Sequence, residues 1–137
     1  MSKTFTDVLM FMLASGQSIN INNEEQAQLY HRLINEEYNE FIKARNQKDE
    51  VETLDACFDM IWVIIGYMLS KGYDVEGAWD EGAKSNLAKI DAVTSKVIKR
   101  ADGKVLKPEG WQKPDFSKFT CKRLALNTKI WYNTICF

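Results

Sequence analysis

The stretch Leu33-Ile34-Asn35-Glu36-Glu37-Tyr38-Asn39-Glu40-Phe41, taken with Asp55-Ala56-Cys57-Phe58-Asp59 shortly after it, decides how the rest of the chain is read. Both segments set acids among apolar residues at helical spacing, and Asn46-Gln47-Lys48-Asp49 reads as the bend between two helices. In an antiparallel hairpin with its tip near Gln47 and Lys48, a rise of about 1.5 Å per residue puts Glu40 and Asp55 roughly 11 Å below the tip. Glu36 and Glu37 fall about one turn deeper, level with Asp59. Spacings of three or four residues keep Glu36 and Glu37 with Glu40, and Asp55 with Asp59, on shared faces. The expected result is four or five carboxylates converging between two helices.

Such a cluster is electrostatically awkward. Two like charges about 4 Å apart cost on the order of 4 kcal/mol at an effective dielectric near ~20. Protonation, outward rotation or a bound cation relieves that cost. An all-oxygen donor set suits hard cations, Mg²⁺ or Mn²⁺ rather than zinc. The bland alternative is a solvated acidic stripe, the usual fate of charge runs. The apolar setting of these acids favours a divalent-metal site inside a helical bundle.

Composition narrows the class. A chain of 137 residues is read as one domain with a modest core. Its net charge of -1 favours neither a generic nucleic-acid binder nor an acidic chaperone. The distribution is more telling: Glu24 to Asp59 holds ten acids and four Lys/Arg, whereas Lys84 to Arg123 holds eleven Lys/Arg and four acids. One half suits cations and the other an anionic ligand. Three cysteines (Cys57, Cys121, Cys136) without CxxC spacing indicate a reducing compartment. No signal peptide is read at the start, and the apolar run Met60 to Leu69 is about half of a membrane span. A cytoplasmic protein, without membrane or nucleic-acid partners, is expected.

Outward from the hairpin, Thr4 to Ala14 reads as a short helix that covers the bundle, closed by Ser15-Gly16. Asn22 or Asn23 caps the second helix, with Glu24 and Glu25 in its first turn and Ala27, Tyr30, Leu33, Ile34, Phe41 and Ala44 as its apolar face. Asp49 caps the third, with Glu52 placed for a capping box. Glu52 lies a turn nearer the tip than the other acids and reads as a cap or support more than as a ligand. From Cys57 to Leu69 the third helix is apolar almost all round, which demands cover on every side. A homo-oligomer, dimer or tetramer, built on this helix is therefore expected.

Asp74 caps a fourth helix running to about Ile90 or Asp91, with Trp79, Gly82, Asn86 and Lys89 on one face. Gly82 inside a helix costs roughly 1 kcal/mol against Ala and points to a close approach by another backbone or a ligand. Val97 to Lys107 then reads as a β-hairpin around Asp102-Gly103, decorated by lysines. Pro108 to Asp115 is an irregular loop. The predicted fold is all-α, a four-to-five-helix bundle with a small C-terminal β-hairpin, in a domain at 1–116 with an extension of unknown role at 117–137.

Other chemistries lack their residues. The only histidine, His31, does not follow a glutamate by three, so a di-iron pattern is absent. Zinc clusters, a Walker-type glycine loop and a GxSxG elbow are absent too. Mg²⁺ commonly binds through carboxylates together with substrate phosphates, which makes phosphoanhydride hydrolysis the natural reaction class.

At this point the sequence resembles the all-α nucleoside triphosphate pyrophosphohydrolases, the MazG and phosphoribosyl-ATP pyrophosphohydrolase-like superfamily. The pattern there is EExxE, then ExxD on the next helix. Glu36-Glu37-Tyr38-Asn39-Glu40 matches the first half; in the second, Asp59 matches but Ala56 stands three before it, and Asp55 or the register Glu52-x-x-Asp55 takes over. Ser85-Asn86-Leu87-Ala88-Lys89, Asp102 to Lys107 and Pro114-Asp115 look like short, often phage-encoded members, for which the host cytoplasm is implied. The resemblance covers about residues 20 to 116. It implies hydrolysis of an NTP or dNTP to the monophosphate and pyrophosphate, with Mg²⁺, or Mn²⁺ in its place, held by Glu36 or Glu37, Glu40, Asp55 and Asp59. Glu36 or Glu37 is implied as general base. Asn86 and Lys89, with Lys84 or Lys107, are implied to bind the substrate, and Trp62 to line a base pocket or the core. A nucleotide-binding protein without turnover and a purely structural oligomer are the rival readings.

Overall fold

The computed structural model describes residues 2–120, and four helices carry the fold: α1 (Lys3–Ala14), α2 (Glu24–Gln47), α3 (Glu50–Ser70) and α4 (Val75–Leu87). Side-chain caps start the last three where the sequence places them. Asn23 Oδ1 accepts from Gln26 N–H, Asp49 Oδ1 from Val51 and Glu52 N–H, and Asp74 Oδ1 from Gly77 N–H, each at 3.1 Å. The capping box at Asp49 is only half made. Asp49 N–H donates instead to Ala44 O at 3.0 Å, and the Glu52 side chain stays exposed.

Helices α2 and α3 form the expected hairpin, and both ends are fastened. At the tip, Lys48 adopts a left-handed conformation (φ 57°) and reverses the chain within two residues. At the open end, Asn23 N–H donates to Ser70 O at 2.8 Å, and Gln26 Nε2 donates to Ser70 Oγ at 2.7 Å and Ser18 O at 2.8 Å. Between them, Tyr30 lies against Gly66: a Cβ built on Gly66 would stand 2.1 Å from the Tyr30 ring. The ring is held there by its hydroxyl, which donates to Gln17 Oε1 at 2.7 Å.

Helix α1 closes one side of this hairpin. Phe5, Val8 and Met12 join Tyr30 of α2, Val63, Ile65 and Leu69 of α3 and Val75 of α4 in one buried cluster. The hydrophobic term in the stability resides here. Helix α3 is long and apolar enough to cross a membrane by length and composition, yet it carries Glu50, Glu52, Asp55 and Asp59 in its first half and supplies three side chains to this core. Its other face is bare: Val51, Leu54, Phe58 and Ile61 are 75%, 71%, 55% and 56% exposed.

Helix α4 stops at Leu87, three or four residues short of the expected end. Ala88 caps it, Lys89 and Ile90 N–H bond back to Asn86 and Leu87 carbonyls, and Ile90 pairs with Val97. The Asp91 side chain then organises a turn by accepting from Val93 and Thr94 N–H. The predicted β-hairpin is reduced in the same way. The Asp102-Gly103 turn forms, with Gly103 at φ 86°, and Arg100 N–H reaches Lys104 O at 2.8 Å. Among the described residues it is closed only by an isolated Lys99–Val105 bridge, not by named strands. Residues 98–107 are exposed, Ile98, Val105 and Leu106 among them, and an isolated two-stranded ribbon is marginal in water.

The loop after it returns along α4. The Phe116 ring lies over Gly82, where an added Cβ would meet it at 3.5 Å, so a side chain in ordinary contact, not the expected backbone or ligand, is what Gly82 faces among the described residues. The Phe119 ring lies on Gly77, and Phe119 O accepts from Asp74 N–H at 2.9 Å. Of the extension expected at 117–137, Ser117–Phe119 is a single 3-10 turn; residues 121–137 lie outside the described residues.

Candidate metal-binding and active site

Three of the five acids come from α2 (Glu36, Glu37, Glu40) and two from α3 (Asp55, Asp59). Their environments differ. Glu36, Glu40 and Asp55 are exposed, whereas Glu37 and Asp59 are half-buried between the helices. Within Glu37 the two oxygens also differ: Oε2 is shut off from solvent and has no hydrogen-bond partner. A buried acceptor left unpaired costs about 1–3 kcal/mol, more when it is charged.

Burial pushes the Glu37 carboxyl above the usual carboxylate range, and Asp59, Glu40, Glu36 and Asp55 push it further in that order. The order carries geometry. Asp59 acts on Glu37 more strongly than Asp55 does, in line with the matched helix heights. Glu52 is not among the acids that raise the Glu37 carboxyl, and its side chain is exposed.

Among the described residues, no three Asp, Glu, His or Cys side chains close into a set that would hold a metal ion as they stand. The residues nonetheless fit a hard divalent cation. Every donor is a carboxylate oxygen, which is the chemistry Mg²⁺ and Mn²⁺ take. Glu37 Oε2 supplies a buried, unpaired acceptor at the centre of the group. His31 is exposed and sits near Asn35, whose Nδ2 lies 3.4 Å from its Nε2, not within the acid group.

A second group assembles beyond α4. Lys89 Nζ donates to Asn86 Oδ1 at 2.7 Å, and Lys89 and Lys107 Nζ lie 5.2 and 4.4 Å from the centroid of the Trp111 ring. Trp111 Nε1–H donates to Ser85 O at 2.8 Å, and Ser85 Oγ–H to Gln112 O at 3.1 Å, so the loop is pinned to the last turn of α4. Three of the sequence-chosen residues, Asn86, Lys89 and Lys107, are thus brought together. Lys84 is not: its side chain is exposed on α4 and no bond draws it to this group. No hydrogen bond or ion pair among the described residues joins the basic group to the acids. Sequence reasoning left Trp111 and Ser85 without a role, because their partners lie some 26 residues apart in the chain.

Trp62 occupies a third place. Its ring stacks obliquely on Phe58 (5.8 Å) and edge-on to Phe11 (5.7 Å), beside a shallow groove between α1 and α3 lined by Thr4, Asp7, Phe58 and Ile61. Trp62 also packs on the buried cluster.

An all-α hairpin that gathers carboxylates from two antiparallel helices is the setting for the family comparison. The phosphoribosyl-ATP pyrophosphohydrolase family model matches residues 5–86, more than half of the chain. The chain belongs to this family, within the MazG-like all-α superfamily. The match contains all five acids and Asn86 but ends before Lys89, Lys107 and Trp111. No curated protein sequence matches the chain. The family's activity is hydrolysis of a nucleotide phosphoanhydride, and enzymes of its superfamily generally use divalent metals.

Proposed function

We propose that this protein hydrolyses a nucleoside triphosphate, NTP or dNTP, to the monophosphate and inorganic pyrophosphate, with Mg²⁺ as its metal and Mn²⁺ as a substitute. The observation that carries this reading is Glu37: a carboxylate with one buried, unpartnered oxygen, crowded by four other acids. Glu37, Glu40, Asp55 and Asp59 would hold the cation. Bound there, a divalent ion supplies Lewis-acid polarisation of a phosphoryl oxygen and charge neutralisation.

The chain's own groups do the rest. Glu36 or Glu37 accepts the proton of the attacking water, and a carboxyl with a raised pKa is the stronger base for that task. The water oxygen bonds to the α-phosphorus as the bond to the bridging oxygen breaks, and pyrophosphate leaves with that oxygen. Asn86, Lys89 and Lys107 bind the β- and γ-phosphates, with Lys84 a further candidate at the edge. Trp62 serves the base or the core. The packed domain acts as a dimer or tetramer whose subunits meet through the bare face of α3, with the second copy covering Val51, Leu54, Phe58 and Ile61. The working compartment is the cytoplasm, that of the host if the gene is a phage's.

The test is a pyrophosphate-release panel over all NTPs and dNTPs with Mg²⁺ or Mn²⁺. Glu40→Gln and Asp59→Asn are expected to lower kcat/KM by more than the roughly 10–100-fold typical of outer-sphere partners. Activity that survives both substitutions sinks the site. Tight nucleotide binding with no release of pyrophosphate points instead to a binding protein.

A further inference from the structure

The group beyond α4 is built around a residue that the proposed function does not use. Lys89 and Lys107 come from separate segments, and lysines are flexible point charges that hold no fixed spacing by themselves. Here both ammonium groups lie over one indole, at 5.2 and 4.4 Å from its centroid, within the range where the ring's negative face attracts a cation. Their nitrogens are therefore no further apart than those two distances combined. The indole is itself clamped: its Nε1–H bonds Ser85 O, and the buried Ser85 bonds the carbonyl of Gln112, the residue next to Trp111.

We infer that Trp111 is a positioning residue that fixes Lys89 and Lys107 as a pair spaced for one di- or triphosphate chain. The inference rests on the proposed function in taking the ligand to be a polyphosphate. Two cations drawn to one ring repel each other, and an anion that spans both offsets the repulsion. Neither amine has a carboxylate partner among the described residues. Asp91 lines the same groove; its Oδ1 is engaged by Val93 and Thr94, and among the described residues no ion pair joins its carboxylate to either amine. Asn86 adds an amide beside Lys89, a neutral donor next to the charged pair.

The test uses the full chain and two readouts: calorimetric binding of inorganic pyrophosphate, and kcat and KM for a nucleotide that releases it. Trp111→Phe keeps an aromatic face but loses the Nε1–H bond to Ser85 O, so it is expected to fall between wild type and Trp111→Leu in both. Trp111→Leu is expected to weaken pyrophosphate binding and raise KM by about tenfold, the scale of one or two lost cation–π contacts, with kcat unchanged. Its melting temperature is expected to match that of Trp111→Phe, which loses the same hydrogen bond. Trp111→Leu combined with Lys107→Met is expected to lose less than the product of the two single effects, because the ring acts through that lysine. Wild-type pyrophosphate affinity in Trp111→Leu, or fully multiplicative losses, overturns the proposal. So does a fall of kcat, or of melting temperature beyond that of Trp111→Phe, alongside the rise in KM, which marks a structural strut. If wild type turns over no nucleotide, the proposed function fails on its own. Pyrophosphate binding then still decides the pairing, and no binding to wild type overturns it.

Discussion

Glu37 shows how one side chain sets a balance between stability and function. Its raised pKa means the folded protein holds that proton more tightly than the unfolded chain does. The sign follows directly. The cost of the charged carboxylate is full at neutral pH and is relieved as pH falls from the raised value towards the ordinary 4.5. On the proposed function, a proton and a divalent cation would compete for the same oxygens. Glu37→Gln is expected to melt a few degrees higher than wild type at pH 7–8 without metal, and to lose most of the Mg²⁺-induced rise. Thermal melts with and without Mg²⁺ check this, and equal metal responses in the two proteins would count against it. The acid group was legible from sequence because all five members lie on two adjacent helices, where pitch alone matches their heights. Which oxygen is buried was not legible, since that depends on how the two helices pack. Trp111 escaped for a different reason: its partners are a helix end and a distant loop, and no periodicity links them.

At the level of elements, caps and apolar spacing identified α2, α3 and the turn between them, because each signal there is local. The end of α4 was missed because Ala88-Lys89-Ile90 contains no helix breaker. The chain leaves the helix there through the Ile90–Val97 pairing and the Asp91 turn. The hairpin failed as a pair of strands because its residues stay exposed, although its Asp-Gly turn formed. Gly66 gives the sharpest test of packing within the α2–α3 pair. Alanine would gain roughly 1 kcal/mol of helix propensity. Its Cβ would stand 2.1 Å from a Tyr30 ring that is buried and tethered to Gln17, so the clash wins. Gly66→Ala is expected to destabilise by about 1–3 kcal/mol in urea unfolding. A stabilised variant would mean that Tyr30 has room to move aside.

For the whole molecule, the bare stripe on α3 is the surface on which the proposed second copy would sit. Val51, Leu54, Phe58 and Ile61 recur at spacings of three and four, the pattern of a helix seam that packs on a second helix. A two-fold pairing of α3 would bury the stripe against itself. Phe58→Glu and Ile61→Glu are expected to shift the protein to monomer in sedimentation or light scattering, at a concentration where wild type is a dimer or tetramer. A monomeric wild type would remove α3 as an interface. The two-residue reversal at Lys48 and Asp49 has a kinetic consequence as well. Every proposed metal ligand lies within one helical hairpin, so bringing them together needs only a short loop closure. Low contact order of this kind favours early formation. The mutual repulsion of the acids is therefore met at the folding barrier, not only in the finished protein, and a divalent cation would speed folding more than it slows unfolding.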